Sequence, residues 1–122
     1  MPPQGIEWFV DVRGCPALLL RDRERLERVF ERIVEESDLH PIGRAQWHRF
    51  PDAGGLTGFW MLQESHLAIH TFPEFGSACL NLFCCRPRPE WAWKNRLGEL
   101  LEARHVAVRS CDRRYGPGET AE

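Results

Sequence analysis

The chain has 122 residues, of which 43% are hydrophobic and 28% charged, and its formal net charge is −2 at pH 7. This length predicts one domain, because it can bury a core of its own but is too short for two ordinary domains. The near-neutral charge argues against a nucleic-acid partner and against binding to an anionic membrane surface.

The composition also predicts a protein of the reducing cytoplasm. The chain lacks a run of about eighteen apolar residues, the length that a transmembrane helix needs. Its first five residues lack the basic and apolar regions of a signal peptide. The 5 cysteines, an odd number, argue against a disulfide framework. No Cys-x-x-Cys pair or other zinc spacing occurs, so no metal site is expected.

The first half of the chain predicts a strand, a helix and two further strands. Residues 7–12 are rich in aromatic and β-branched side chains and end at a glycine and a proline. Over residues 20–36 apolar residues recur every three or four positions, which predicts an amphipathic helix. Residues 42–50 and 56–62 then have strand composition, and the turn-forming segment 51–55 separates them.

The second half predicts a hairpin, a helix and a last strand. Residues 66–71 form a strand, residues 72–76 turn the chain, and residues 78–85 return as the next strand. Two prolines end this strand, and a second helix begins at Glu90. Residues 104–110 have the composition of a short final strand.

The order strand, helix, four strands, helix, strand predicts an α+β fold. We expect a two-layer sandwich in which a largely antiparallel sheet carries both helices on one face. Because tryptophan and phenylalanine also mark the other sheet face, a second copy is expected to cover it, giving a homodimer through or beside the sheet. Residues 1–5 and 115–122 are expected to be a loose arm and a frayed tail.

Reactive side chains concentrate in the predicted hairpin, and the length of its turn decides whether they share a face. If residues 73–76 form a four-residue loop, His70 lies opposite Cys79, and His70 and Cys85 project from the same side. A five-residue loop places them on opposite faces, because side chains alternate along a strand. The four-residue register therefore assembles the predicted site of Ser65, His70 and Cys85.

Taken singly, these side chains allow several interpretations. A Ser–His pair could be a hydrolase dyad, although no Gly-x-Ser-x-Gly motif surrounds Ser65. A Cys–His pair could provide a thiol nucleophile. Alternatively, His66 and His70 are ordinary strand residues, and Cys79 and Cys84 are small core side chains.

The whole segment 64–76, ESHLAIHTFPEFG, is more specific than its single residues. It resembles the cleavage-site signature of the prokaryotic S-adenosylmethionine decarboxylases, which are small, self-processing, pyruvoyl-dependent enzymes of polyamine synthesis. The resemblance extends over most of the chain. Individually weaker matches occur at residues 14–15, 47–50, 56–58, 82–85, 91–94 and 105–108.

The resemblance implies that the chain cleaves itself between Glu64 and Ser65. The Ser65 hydroxyl attacks the Glu64 carbonyl to give an ester, and β-elimination then separates a β chain, 1–64, from an α chain, 65–122. A pyruvoyl group derived from Ser65 heads the α chain. It forms a Schiff base with the substrate amine and serves as the electron sink for loss of CO2. The implied reaction converts S-adenosylmethionine into the aminopropyl donor for spermidine synthesis.

The resemblance also assigns roles to the site residues. His70 is the base that assists β-elimination, and Cys85 is the proton donor in decarboxylation. Thr57 supports processing in a place where the family usually has serine. Phe50 stacks on adenine and faces the sulfonium, and Glu74 binds the ribose hydroxyls.

Three residues depart from the family pattern, and two other functions stay open. Asn81 stands in place of aspartate, Cys84 in place of threonine and Arg86 in place of glycine. Arg86 could bind a substrate carboxylate, favour the thiolate of Cys85, or be a solvated arginine at a strand end. The first alternative function is pyruvoyl-dependent decarboxylation of a basic amino acid, arginine or ornithine. The second is an unprocessed, non-enzymatic relative that acts as a binding or regulatory partner.

Overall fold

Six strands pair into one sheet in the computed structural model, which describes residues 4–117. The strands are β1 (Gln4–Arg13), β2 (Gln46–Arg49), β3 (Leu56–Leu62), β4 (Ser65–Phe72), β5 (Ser77–Cys84) and β6 (His105–Arg114). Their order across the sheet is β2-β3-β4-β5-β1-β6. Each neighbouring pair of these strands is antiparallel.

In this described part of the chain three α-helices accompany the sheet, α1 (Ala17–Leu20), α2 (Arg23–Glu36) and α3 (Trp93–Leu101). The α2 helix begins after Asp22, whose Oδ1 accepts the Arg25 N–H at 3.3 Å and so caps the first turn. One stripe of α2 is buried, as its sequence period requires. The stripe consists of Leu26, Val29, Phe30, Ile33 and Val34.

The core lies between the helices and one face of the sheet. Trp8, Val10 and Val12 of β1 are buried and belong to the same hydrophobic cluster as the apolar stripes of α2 and α3. The residues between them point to the opposite face, because side chains alternate along a strand. We call that opposite side the open face. It carries Phe59, Met61 and Phe72, which are 41%, 54% and 38% exposed.

The predicted α+β class and the order of its elements are confirmed, but several boundaries differ. The helix predicted over 20–36 is α2, which starts at Arg23 after the Asp22 cap, and the short helix α1 before it was not predicted. The strand predicted at 42–50 is reduced to β2, and Pro41 only forms an isolated bridge to Leu62. The second helix begins at Trp93, three residues later than predicted.

The edge strand β6 and its neighbour β1 are longer than predicted. β1 begins at Gln4, inside the predicted loose arm, and β6 continues to Arg114. The two strands pair along their whole length, with Gln4 opposite Arg114 and Arg13 opposite His105, and this pairing extends both. The predicted arm and tail also include residues 1–3 and 118–122, which lie outside the described residues.

The turn between β4 and β5 has the four-residue form on which the predicted site depends. Pro73–Phe75 form a 3₁₀ turn, and Gly76 has a φ of +63°, a left-handed conformation that glycine adopts without steric cost. Phe72 therefore pairs with Ser77, and His70 pairs with Cys79. The predicted register is confirmed.

Thr71 connects β4 to the start of β3 and to the end of α1. Its hydroxyl accepts the Leu56 N–H at 2.9 Å and donates to the Leu20 carbonyl at 2.8 Å, in a side chain that is 3% exposed. Thr71→Val keeps the shape but leaves the Leu56 N–H without this acceptor. We predict that the free energy of unfolding, measured in urea, falls by about 1–3 kcal/mol.

Thr57→Val is the matched control for this experiment. Thr57 also belongs to a strand of the sheet, but its hydroxyl bonds to His70 on the exposed side of the hairpin. Its loss should lower the free energy of unfolding by less than about 1 kcal/mol. Equal losses in the two variants would contradict the structural role of Thr71.

Candidate active site

The predicted cleavage site lies at the tip of the β3–β4 hairpin. Leu62 pairs with Ser65, so Gln63 and Glu64 form the turn between the strands. Glu64 has a φ of +62°, a left-handed conformation that costs a residue with a side chain about 1–2 kcal/mol. The Ser65 hydroxyl donates to the Gln63 carbonyl at 3.3 Å. The Glu64–Ser65 bond is therefore part of a strained turn, with a hydroxyl on the residue that follows the strained position.

Cys85 lies directly beside this bond. Its backbone N–H donates to the Glu64 carbonyl oxygen at 2.7 Å. Its own carbonyl accepts the Tyr115 hydroxyl at 2.8 Å. A Cβ at Gly5 would lie 2.1 Å from the Cys84 carbonyl oxygen, so only a glycine lets β1 approach this close. Hydrogen bonds to both its backbone N–H and its backbone carbonyl thus hold Cys85 in place.

The two adjacent cysteines occupy different environments. Cys84 is 1% exposed within the core, and burial raises the pKa of its thiol to about 11. Cys85 is partly exposed. This difference follows the alternation predicted for the strand. Of the two thiols, that of Cys85 is the one a small molecule can reach.

Arg86 forms an ion pair with Glu64. Its Nε lies 2.8 Å from Glu64 Oε1, and its Nη2 donates to Oε2 at 3.2 Å, so the contact is bidentate. The two side chains remain 70% and 50% exposed. Arg86 therefore contacts the residue before the predicted cleavage point, a partner that the sequence alone does not indicate.

The other predicted site residues lie at the far end of the hairpin. Thr57 and His70 are cross-strand partners, and Thr57 Oγ1 lies 3.0 Å from His70 Nδ1. Phe50 and Glu74 line one cleft of about 290 Å³, together with Phe72. Thr57 and His70 are thus joined by a hydrogen bond, and Phe50 and Glu74 line a cleft. Both pairs lie near the β4–β5 turn.

These two groups of residues do not meet within one chain. Ser65 and His70 are five positions apart on β4, which at 3.3 Å per residue separates their backbones by about 16 Å. Alternation also directs Ser65 toward the helices and His70 toward the open face. Chemistry that needs both groups therefore does not take place between Ser65 and His70 of the same chain in this conformation.

A polar network crosses the open face between the two groups. His66 Nε2 lies 3.1 Å from Asn81 Oδ1, and Asn81 Nδ2 donates to Glu7 Oε2 at 2.9 Å. Arg113 donates to the same carboxylate, and two phenylalanine rings stack on the His66 ring. The amide of Asn81 suits this place because it donates to a carboxylate and also accepts from a histidine. Sequence alternation indicates the shared face, but not these diagonal contacts.

Metal-ligand geometry is absent from residues 4–117, where no group of three or more His, Cys, Asp or Glu side chains could hold an ion. Within the same residues, no helix is long and apolar enough to cross a membrane.

The tip of the hairpin offers a serine hydroxyl, a carbonyl polarised by a backbone N–H, and a thiol. This set can support an acyl shift from nitrogen to oxygen.

Comparison with known proteins agrees with the resemblance of the hairpin segment. The family model described as S-adenosylmethionine decarboxylase matches residues 6–114. The S-adenosylmethionine decarboxylase proenzyme of Clostridium tetani is 33% identical over 110 residues, which cover 89% of this chain and 86% of that protein. The proenzyme of Carboxydothermus hydrogenoformans is 31% identical over 119 residues, which cover 97% and 92% of the two chains.

A solved structure shares the fold. The crystal structure of the adenosylmethionine decarboxylase from Aquifex aeolicus matches 100% of both chains with a TM-score of 0.80. Its sequence identity to this chain is 22%, so the likeness concerns the architecture. It agrees with the six-stranded antiparallel sheet and its layer of helices.

The environments of the cysteines predict which thiols react. At pH 8 in the native protein, iodoacetamide should label Cys85 faster than Cys84 and Cys15, because burial denies access to the last two and raises the pKa of each to about 11. The higher pKa alone lowers the thiolate fraction on the order of a hundredfold. Peptide mass spectrometry measures the three rates.

Denatured protein is the control for accessibility. Under denaturing conditions the rates should converge, since both burial and the raised pKa are lost. Labelling of native Cys84 at the rate of Cys85 would contradict the placement of the two side chains.

Proposed function

Because the chain belongs to the S-adenosylmethionine decarboxylase family, a family of enzymes, we propose that it cleaves itself at Glu64–Ser65 and then decarboxylates S-adenosylmethionine. The product is the aminopropyl donor for spermidine synthesis, and the enzyme is a carboxy-lyase. The observation that carries this proposal is the 2.7 Å hydrogen bond from the Cys85 N–H to the Glu64 carbonyl. It polarises the one carbonyl that the neighbouring Ser65 hydroxyl must attack.

Self-cleavage begins at that carbonyl. The Ser65 oxygen attacks the carbonyl carbon of Glu64, and the Cys85 N–H stabilises the negative charge that develops on the carbonyl oxygen. The C–N bond then breaks, which leaves Glu64 esterified to the Ser65 oxygen. Loss of the Ser65 Cα proton expels the Glu64 carboxylate and separates residues 1–64 from residues 65–122. The dehydroalanine left at residue 65 tautomerises to an imine, and water hydrolyses this imine to the ketone with release of ammonia.

His70 of a second copy takes the Cα proton. When His70 Nδ1–H donates to Thr57 Oγ1, at the observed 3.0 Å, the lone pair lies on Nε2. The Thr57 hydroxyl thus orients the ring and selects the tautomer that acts as a base. A second copy is needed because the His70 of the same chain is about 16 Å from Ser65 along the strand.

A homodimer formed through the open faces completes each site. Phe59, Met61 and Phe72 give this face exposed apolar surface whose burial favours association. A twofold axis that runs between the two sheets and across their strands reverses β4 in the partner. The Ser65 end of one copy then lies against the His70 end of the other.

The pyruvoyl group derived from Ser65 supplies a ketone that acts as the electron sink for decarboxylation. Cys85 contacts Glu64, the residue before Ser65, and presents a partly exposed thiol. We assign it as the acid that returns a proton to the substrate carbon that loses CO2. The reducing cytoplasm, where we place the protein, keeps this thiol free.

Phe50 and Glu74 recognise the nucleoside part of the substrate. The Phe50 ring stacks on adenine and attracts the sulfonium charge, and the Glu74 carboxylate accepts hydrogen bonds from the ribose hydroxyls. Their cleft of about 290 Å³ lies just below the usual range for small-molecule pockets, roughly 300–1,000 Å³. Such a volume fits a half-site that a second copy completes. The curated relatives do not favour arginine or ornithine as the substrate.

Two measurements test this function together. Intact mass of the purified protein should give fragments of residues 1–64 and 65–122, the second with an N-terminal pyruvoyl group. The cleaved protein should release CO2 from S-adenosylmethionine and not from arginine or ornithine. Ser65→Ala should stay whole and inactive, because it removes the nucleophile. Turnover of arginine or ornithine alone would contradict the assigned substrate.

Cys85→Ala separates the two stages. It keeps the backbone N–H that contacts the Glu64 carbonyl, so cleavage should continue within a few-fold of the normal rate. Loss of the acid should lower CO2 release by about 10²- to 10⁴-fold. A Cys85→Ala protein that stays whole would contradict the role assigned to the thiol.

A further inference from the structure

Glu64 is held at two points by two consecutive residues. The Cys85 N–H bonds to its carbonyl oxygen at 2.7 Å, and the Arg86 guanidinium bonds to both oxygens of its carboxylate, at 2.8 and 3.2 Å. One contact holds the backbone and the other holds the side chain. Because Cys85 and Arg86 are adjacent, the two contacts restrict rotation of Glu64 more than either does alone.

The conformation of Glu64 explains why a second contact matters. Its φ of +62° is unfavourable for a residue with a side chain. Relaxation to an ordinary φ would rotate the peptide groups on either side of Glu64. Its carbonyl would then leave the Cys85 N–H and would lose the hydrogen bond that polarises it.

We infer that Arg86 is a positioning residue for self-cleavage, which holds Glu64 in the left-handed conformation that keeps its carbonyl on the Cys85 N–H. The inference rests on the proposed function, because it concerns the same bond. It assigns Arg86 to the cleavage stage and leaves the decarboxylation stage to other residues. The guanidinium already makes a bidentate contact with Glu64, which argues against a substrate carboxylate as its partner in the uncleaved chain.

The first test follows the rate of cleavage in freshly translated chains, with fragments separated by denaturing electrophoresis. Arg86→Gln should slow cleavage about two- to fivefold, the effect expected from an exposed ion pair. Arg86→Lys should give an intermediate rate, because lysine keeps the charge but not the bidentate geometry. CO2 release per cleaved chain should not change in either variant.

A double-variant cycle tests whether Arg86 acts through Glu64. Glu64→Gln removes the same ion pair from the other side and should slow cleavage by a similar factor. The double variant Glu64→Gln with Arg86→Gln should be no slower than either single variant, because both remove one interaction. Multiplying effects would show that Arg86 acts elsewhere and would overturn the inference.

The salt dependence of the cleavage rate distinguishes loss of the ion pair from a general loss of stability. Added NaCl screens an exposed ion pair, so the wild-type rate should fall toward that of Arg86→Gln. The rate of Arg86→Gln should stay nearly constant over the same range. An identical salt response in the two proteins would overturn the role of the ion pair.

Arg23→Gln is the matched control. Arg23 forms a pair with Glu27 at 3.1 Å, with side chains 54% and 38% exposed, on a helix remote from the hairpin tip. It should cleave at the wild-type rate. If wild type cleaves and Arg86→Gln cleaves equally fast, the role of Arg86 fails while the proposed function stands. If wild type itself stays whole, both fail.

Discussion

The hydrogen bond from the Cys85 N–H to the Glu64 carbonyl is the contact on which the rest of the site depends. It forms where β5 ends beside the tip of the β3–β4 hairpin, and it brings the predicted thiol to the predicted cleavage bond. Its existence follows from the register of β4 and β5, which the left-handed Gly76 sets at the other end of the two strands. A turn one residue longer would exchange the faces of Cys84 and Cys85. The chemistry at one end of the hairpin thus depends on a glycine at the other end.

The length of β4 imposes the second constraint. A strand of eight residues holds Ser65 and the Thr57–His70 pair apart, while the same strand fixes the orientation of both. Under the proposed function, each chain therefore presents two half-sites, one with the Glu64–Ser65 bond and the Cys85 thiol, and one with His70 and the cleft at Phe50 and Glu74. The apolar open face is the surface through which two copies can join these halves. The proposed homodimer would therefore use the sheet both to position the site residues and to form the interface.

Much of this arrangement could be predicted from the sequence. Composition and apolar periodicity predicted the six strands and the two longer helices. Strand alternation showed that only a four-residue turn, which pairs His70 with Cys79, puts His70 and Cys85 on one face, and the structure has that turn. The contacts that the sequence did not reveal join distant positions or cross a face diagonally. Arg86 reaches Glu64 across 22 positions and Tyr115 reaches Cys85 across 30, so no local pattern marks either pair. The short helix α1 also escaped prediction, because its four residues are too few to show a helical period.

Complementation between two inactive variants tests most directly whether two copies build one site. Ser65→Ala chains and His70→Ala chains are coexpressed with different tags, and the mixed dimer is purified through both. Each variant alone should stay whole. In the mixed dimer, the His70→Ala chain supplies Ser65 and its partner supplies His70, so the account predicts that only the His70→Ala chain is cleaved. A mixed dimer in which both chains stay whole would contradict it.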